Sequence, residues 1–125
     1  MSTNNTPVYK ELAGKVAVIT GAGRHQGLGE AMAKRLASEG VKVVITDIGK
    51  ASGSHMPENA IGSQSEMQQI VDEIRQDGGE AECFVCNMLE ASDVEAAAKF
   101  AVDTYGSLDI WVNNAGIGYI MNAIV

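Results

Sequence analysis

The sequence predicts an α/β domain, a doubly wound parallel sheet with about four strands. Three observations carry that reading. Short apolar runs alternate with amphipathic stretches along the 125-residue chain. A glycine-rich segment, Thr20-Gly21-Ala22-Gly23-Arg24-His25-Gln26-Gly27-Leu28-Gly29, joins the first run to the first amphipathic stretch. An acid, Asp47, stands at the end of the second run, 18 residues after Gly29. Strands and helices alternating in this way fold by right-handed crossovers into a parallel sheet covered by helices.

Residues 1–13 are polar and read as an N-terminal arm, with the domain running from residue 14 to 125. The first strand is expected at about Lys15 to Thr20, where Val16-Ala17-Val18-Ile19 is continuously apolar. Gly27 to Glu39 follows as a helix stopped by Gly40. The second strand is Lys42 to Asp47. Ser63-Gln64-Ser65-Glu66 has the pattern of a capping box, and Met67, Ile70, Val71 and Ile74 share one face of the helix it opens. Gly78-Gly79 stops that helix, and Ala81 to Cys86 reads as the third strand. A second capping box, Ser92-Asp93-Val94-Glu95, opens a helix with Val94, Ala97, Ala98, Ala101 and Val102 on its apolar face. Gly106 ends it, and Leu108 to Asn113 is the fourth strand. Residues 48–62 make a long inserted loop where about 2–6 residues are usual. They overhang the nearby cleft, meet a partner, or form a surface loop.

Composition narrows the function. A hydrophobic content of 46% with 20% charged residues is that of a globular protein. A net charge of −7 argues against nucleic-acid binding, which wants a basic face. No apolar run approaches the roughly 20 residues of a membrane span, and the N-terminus lacks a signal pattern, so a cytoplasmic protein is expected. Cys83 and Cys86 form a C-x-x-C, readable as a redox dithiol or half a metal site. However, the segment reads as a strand, whose residues three apart point to opposite faces. A reactive pair normally sits at a helix N-terminus. Two small buried apolar residues are therefore expected, and no metal site.

The glycine-rich segment has a specific chemistry. A strand, a tight glycine turn and a helix N-terminus bring unpaired N–H groups and a positive dipole end to a dinucleotide pyrophosphate. Asp47 stands where a carboxylate accepts hydrogen bonds from the ribose hydroxyls. A 2′-phosphate there meets like-charge repulsion, so NAD is expected over NADP, although Arg24 and Lys50 keep NADP open.

These residues, with Asn113-Asn114-Ala115-Gly116 about 95 residues beyond the glycine loop, resemble the short-chain dehydrogenase/reductase family from about Leu12 to Gly118. The resemblance implies a Rossmann-like sheet of order 3-2-1-4. The family's TGxxxGxG spacing fits with Gly27 and Gly29 as second and third glycines, leaving two extra residues among Ala22 to Gln26. It also implies a cofactor site made of Thr20, Gly21, Arg24, Gly27, Leu28, Gly29, Asp47, Ile48, Asn87, Met88, Asn114, Ala115 and Gly116. Asn87 replaces the family's usual Asp beside the adenine amine, and its side-chain oxygen can still accept that bond. The implied activity is NAD-dependent hydride transfer between a secondary alcohol and a ketone, in a full-length form that assembles as a homo-oligomer.

The family's proton acceptor is a Tyr with a Lys four residues on, preceded by a Ser. Tyr9, Tyr105 and Tyr119 are followed four residues on by Ala13, Asp109 and Ala123, so no catalytic residue is identified in this chain. The sequence ends nine residues after Gly116 in an apolar stretch. The expectation is a truncated sheet, the N-terminal, cofactor-binding half of a longer enzyme. A short non-catalytic dinucleotide-binding module and a nucleotide-binding fold with other chemistry, such as a sugar-nucleotide epimerase relative, are the alternatives.

Overall fold

The computed structural model describes residues 9–48 and 64–115. Its elements are β1 (Val16–Ile19), α1 (Leu28–Ser38), β2 (Lys42–Asp47), α2 (Gln64–Gln76), β3 (Glu80–Val85), α3 (Ala91–Tyr105) and β4 (Ile110–Val112). All pairings are parallel, and the sheet order is β3-β2-β1-β4, as the resemblance implied. Most of the inserted loop at residues 48–62, the capping residue Ser63 and the site residue Gly116 lie outside the described residues.

Alternate residues of the central strands feed two cores. Ala17, Ile19, Val43 and Ile45 pack with Ala33 and Ala37 of α1 and with Met67, Ile70, Val71 and Ile74 of α2. Val16, Val18 and Val44 point the other way, to Ala101 of α3, with Phe84, Phe100 and Trp111 around them. Phe84 and Phe100 stack with ring centroids 5.0 Å apart. Because β1 and β2 are covered on both faces, their sequences show unbroken apolar runs rather than alternation. Each fully buried Val or Ile contributes about 1.5–3 kcal/mol to holding the layers together.

The N-terminal arm is fastened at its inner end. Lys10–Leu12 form a short 3-10 turn, and the Tyr9 N–H donates to Glu39 Oε1 at the end of α1 from 2.7 Å. Three expected boundaries are corrected. β1 and β4 are shorter than expected, Val16–Ile19 and Ile110–Val112. Thr20 turns out of β1, its N–H and hydroxyl both donating to the Val112 carbonyl. Asp109 Oδ2 accepts the Val16 N–H at 2.9 Å before β4 begins. The third correction concerns α3, which starts at Ala91 with Glu90 at its N-cap position, so Ser92 is not the cap. The entry is built instead by the preceding turn, where Asp93 Oδ2 accepts the Asn87 N–H at 2.9 Å and the Glu90 N–H donates to the Asn87 carbonyl.

Candidate functional site

The carboxyl ends of the four strands lie along one rim of the sheet, with the order reversing between β1 and β4. Open α/β sheets bind ligands at such a switch point. Here it is closed by a polar knot. Thr20 Oγ1 accepts the N–H groups of Asn114 and Ala115, each at 3.1 Å, and donates to the Val112 carbonyl at 3.3 Å. One donor and two acceptor positions exhaust what a hydroxyl offers. The Asn114 side-chain amide donates to the Gly21 carbonyl at 3.1 Å, so the β4 end is tied to the β1 end twice.

Two glycines are required by the closeness of this packing. Gly21 has φ +65°, and a Cβ on it would stand 2.6 Å from Ala115 Cα. Gly29 is buried, and a Cβ there would stand 2.6 Å from Ala22 Cα and 2.9 Å from Asn114 Nδ2. Gly29 therefore permits the close contact of α1 with the loop and with Asn114. Gly27 is the N-cap of α1, with the Arg24 guanidinium beside it: a Cβ on Gly27 would lie 3.6 Å from Arg24 Nη2. The first main-chain bond of α1 runs from the Ala31 N–H to the Gly27 carbonyl. The amides of Leu28, Gly29 and Glu30 thus have no partner within the helix. A helix N-terminus, a neighbouring guanidinium and a backbone without side chains fit the pyrophosphate of a dinucleotide. Leu28 projects outward there, 76% exposed.

Asp47 is fixed at the end of β2. Its Oδ2 accepts the Gly23 N–H at 3.0 Å and its Oδ1 accepts the Ile48 N–H at 2.8 Å. The residue is buried to 8% exposure, with its carboxylate fixed between these two amides. Gly23 was not among the residues expected at the site, yet it packs directly on this acid: a Cβ on it would lie 2.7 Å from Asp47 Cβ and against Met67 Cγ. Its position inside the Thr20–Gly29 segment was the available signal. Asn87, at the end of β3, is already engaged, since its Oδ1 accepts the Leu89 N–H at 3.0 Å. Met88 folds its sulfur to 3.8 Å from Cys86 Sγ.

Beside the loop lies a charged cluster that sequence spacing did not reveal. The His25 N–H donates to Glu66 Oε2 at 2.7 Å, and its ring nitrogens lie 3.2 Å from Glu66 Oε2 and 3.2 Å from Glu73 Oε2. The Gln26 N–H donates to Glu30 Oε1 at 2.6 Å. Lys34 Nζ bridges Glu30 and Glu73 at 3.0 and 2.7 Å. His25, Glu30 and Glu73 bring three metal-ligating atoms within 4.8 Å of one another. The Lys34 ammonium supplies the positive charge those carboxylates need.

The remaining candidates for chemistry are inert. Burial raises both thiol pKa values, with Glu82 adding to it at Cys83 and Asp93 at Cys86, so both stay protonated. Cys86 is buried as expected; Cys83 is only half-buried, because edge strand β3 meets the polar Gln68 there, with Sγ 3.6 Å from Gln68 Oε1. Burial, with Glu82 and Glu80 nearby, pushes the Tyr105 phenol up to about 12, the wrong direction for a proton acceptor. None of the helices among the described residues is long and apolar enough to cross a membrane.

Comparison with known proteins bears on this arrangement. A family model described as short chain dehydrogenase matches residues 15–124. The chain is 42% identical over 103 residues to a cyclohexanol dehydrogenase of Acinetobacter sp. (strain SE19), covering 82% of this chain and 35% of that protein. It is 38% identical over 107 residues to the 7alpha-hydroxysteroid dehydrogenase of Escherichia coli (strain K12), covering 86% and 36%. A crystal structure of hydroxysteroid dehydrogenase from Escherichia coli superposes with a TM-score of 0.69 at 35% identity, over 92% of this chain and 40% of that one. The chain spans about a third of the length of these curated relatives.

Proposed function

The chain belongs to the short-chain dehydrogenase family, and we propose that it supplies the cofactor-binding part of an NAD-dependent enzyme interconverting a secondary alcohol and a ketone. The observation that carries the cofactor choice is Asp47. Its carboxylate is held by the Gly23 and Ile48 N–H groups at the rim of the sheet, at the end of β2 where a carboxylate receives the ribose hydroxyls in a dinucleotide fold. A 2′-phosphate at that position meets a fixed negative charge.

When bound, the nicotinamide cofactor supplies the hydride acceptor or donor. The chain's own part is to bind and orient. The amides at the start of α1 and the Arg24 guanidinium face the pyrophosphate, Asp47 holds the adenosine ribose, and Ile48, Asn87 and Met88 border the adenine. Thr20 and Asn114 hold the β4 end in register, so that Ala115 presents a small side chain and lets the cofactor approach. Names of relatives point to cyclic secondary alcohols, a cyclohexanol and a hydroxysteroid, as the substrate class.

The test uses the protein expressed from its full coding sequence. Titration should give tighter binding of NADH than NADPH, and turnover of cyclic secondary alcohols with NAD. Tighter NADPH binding overturns the cofactor choice. Binding of NADH without turnover of any alcohol in a broad panel points instead to a non-catalytic dinucleotide-binding module.

A further inference from the structure

The glycine loop, two residues longer than the family spacing it resembles, is held by a clamp that the proposed chemistry does not require. We propose that His25 is a positioning residue for the cofactor: its attachment to α2 sets the shape of the dinucleotide loop. This rests on the NAD-binding reading above.

Three loop amides, those of Gly23, His25 and Gln26, donate to three carboxylates on three different elements: Asp47 on β2, Glu66 on α2 and Glu30 on α1. The loop is thus pinned at intervals, with His25 reaching furthest. Its imidazole inserts between Glu66 and Glu73, which are two helical turns apart on one face of α2, and Glu30 Oε2 lies 3.8 Å from Nε2. From α1, Lys34 faces the same carboxylates and keeps Glu30 and Glu73 charged as partners for the ring.

The loop needs such a clamp for a conformational reason. Gln26 has φ +63°, a left-handed backbone that a residue with a side chain adopts only when its surroundings enforce it. A longer glycine loop also has more conformations to lose when a dinucleotide binds, and pre-ordering it lowers that cost. His25 and Glu66 anchor the residue before Gln26, Glu30 anchors Gln26 itself, and the next residue is Gly27, the N-cap of the phosphate-facing helix. Releasing His25 therefore frees the segment that carries Arg24 and delivers Gly27. The group that contacts the cofactor is the loop, and His25 acts through it.

The test measures NADH dissociation constants, kcat and apo-protein melting temperature for the protein expressed from its full coding sequence. His25→Ala should weaken NADH binding about tenfold, with kcat at saturating cofactor within about twofold and melting temperature nearly unchanged. Glu66→Ala and Glu73→Ala should each weaken binding in the same direction; Glu73→Ala should add little to His25→Ala, whereas Glu66→Ala, which also removes the acceptor of the His25 backbone N–H, should add to it. His25→Gln, which keeps one N–H donor for a carboxylate, should recover part of the affinity. Lys99→Met, which removes an exposed ion pair to Asp103 on α3 that is no part of the clamp, should leave the dissociation constant near that of the wild type. Unchanged NADH affinity in His25→Ala overturns the inference, as does a loss of affinity matched by Lys99→Met. If His25→Ala does not fold, the His25→Gln and Glu73→Ala affinities decide by the same criteria. A wild type that binds no nicotinamide dinucleotide sinks the underlying reading instead, so the two failures are distinguishable.

Discussion

The Gly23 N–H and the Asp47 carboxylate meet at 3.0 Å, which joins the glycine loop after β1 to the acid that ends β2. The acid thereby holds the loop, and the proposed function gives it a second duty toward the ribose. Removing it costs both.

Asp47→Ala should therefore weaken NAD binding by about 10–100-fold, the range for losing hydrogen bonds to a charged acceptor. NADP binding should fall less, because the mutation also removes like-charge repulsion at the 2′ position. The NAD-to-NADP preference then narrows or inverts. Fluorescence titration of both reduced cofactors on the wild type and the mutant measures this, and an unchanged ratio would show that Asp47 does not read the ribose.

Much of this arrangement was legible in the sequence, for identifiable reasons. Strands buried on both faces announce themselves as apolar runs, and Val41 to Ile45 could hardly be anything else. Asp47 was legible because the turn after β2 must lie beside the turn after β1 in a parallel pair. Residues whose partners are distant were not. His25 reads as a lone polar histidine until Glu66 and Glu73, 41 and 48 residues on, are brought to it. The start of α3 was misplaced because Asp93 gives its carboxylate to Asn87, a tertiary use of a residue that local pattern assigns to a cap. Gly29 was legible as a glycine of the family spacing, but its packing against Ala22 and Asn114 is visible only in three dimensions.

That packing at Gly29 has a measurable consequence. A methyl at Gly29 meets backbone at 2.6 Å, and backbone cannot swing aside, whereas the nearest atom to a methyl at Gly27 lies at 3.3 Å. Gly29→Ala should thus destabilise the fold by roughly 1–3 kcal/mol, as overpacking does, and lower the melting temperature along with cofactor affinity. Gly27→Ala should spare the melting temperature and act on cofactor binding alone. Thermal unfolding of the two variants side by side separates them; equal melting temperatures would contradict the packing role.

The thiols give a prediction of insensitivity. Burial raises both pKa values, with Glu82 adding to it at Cys83 and Asp93 at Cys86, so thiolate chemistry is disfavoured. Replacing Cys83 and Cys86 with Ala should leave turnover unchanged by mild oxidant or chelator, at a cost of roughly 1 kcal/mol, mainly from buried Cys86. Loss of turnover with cofactor binding intact would reassign the pair to a redox role.

The last prediction concerns pH and follows from the cluster around Lys34. Burial tends to raise the Glu30 pKa, but the Gln26 N–H and the Lys34 ammonium outweigh it and the net direction is down. Glu73 is lowered chiefly by its hydrogen bond to Lys34, with His25 adding to it. Burial alone would depress Lys34, yet Glu73 and Glu30 raise it. A carboxylate whose pKa falls on folding stabilises the fold above its unfolded pKa, and that contribution is lost as pH drops through the folded value. For Glu30 and Glu73 the loss therefore begins just below the ordinary carboxylate range, about pH 4–5, and continues downward. Lys34 has the opposite sign: its contribution is complete below the ordinary lysine pKa and disappears as pH rises through the raised value, above about pH 10. Both partners of the network are partly exposed, so salt should shrink the effect. Melting temperature measured against pH should show acid and alkaline limbs that Glu30→Gln/Glu73→Gln flattens on the acid side and Lys34→Met flattens on both. An acid limb of undiminished slope in the double mutant would place the acid sensitivity elsewhere, with Asp109 the next group to test because the Val16 N–H and Ser107 hydroxyl also hold its pKa down.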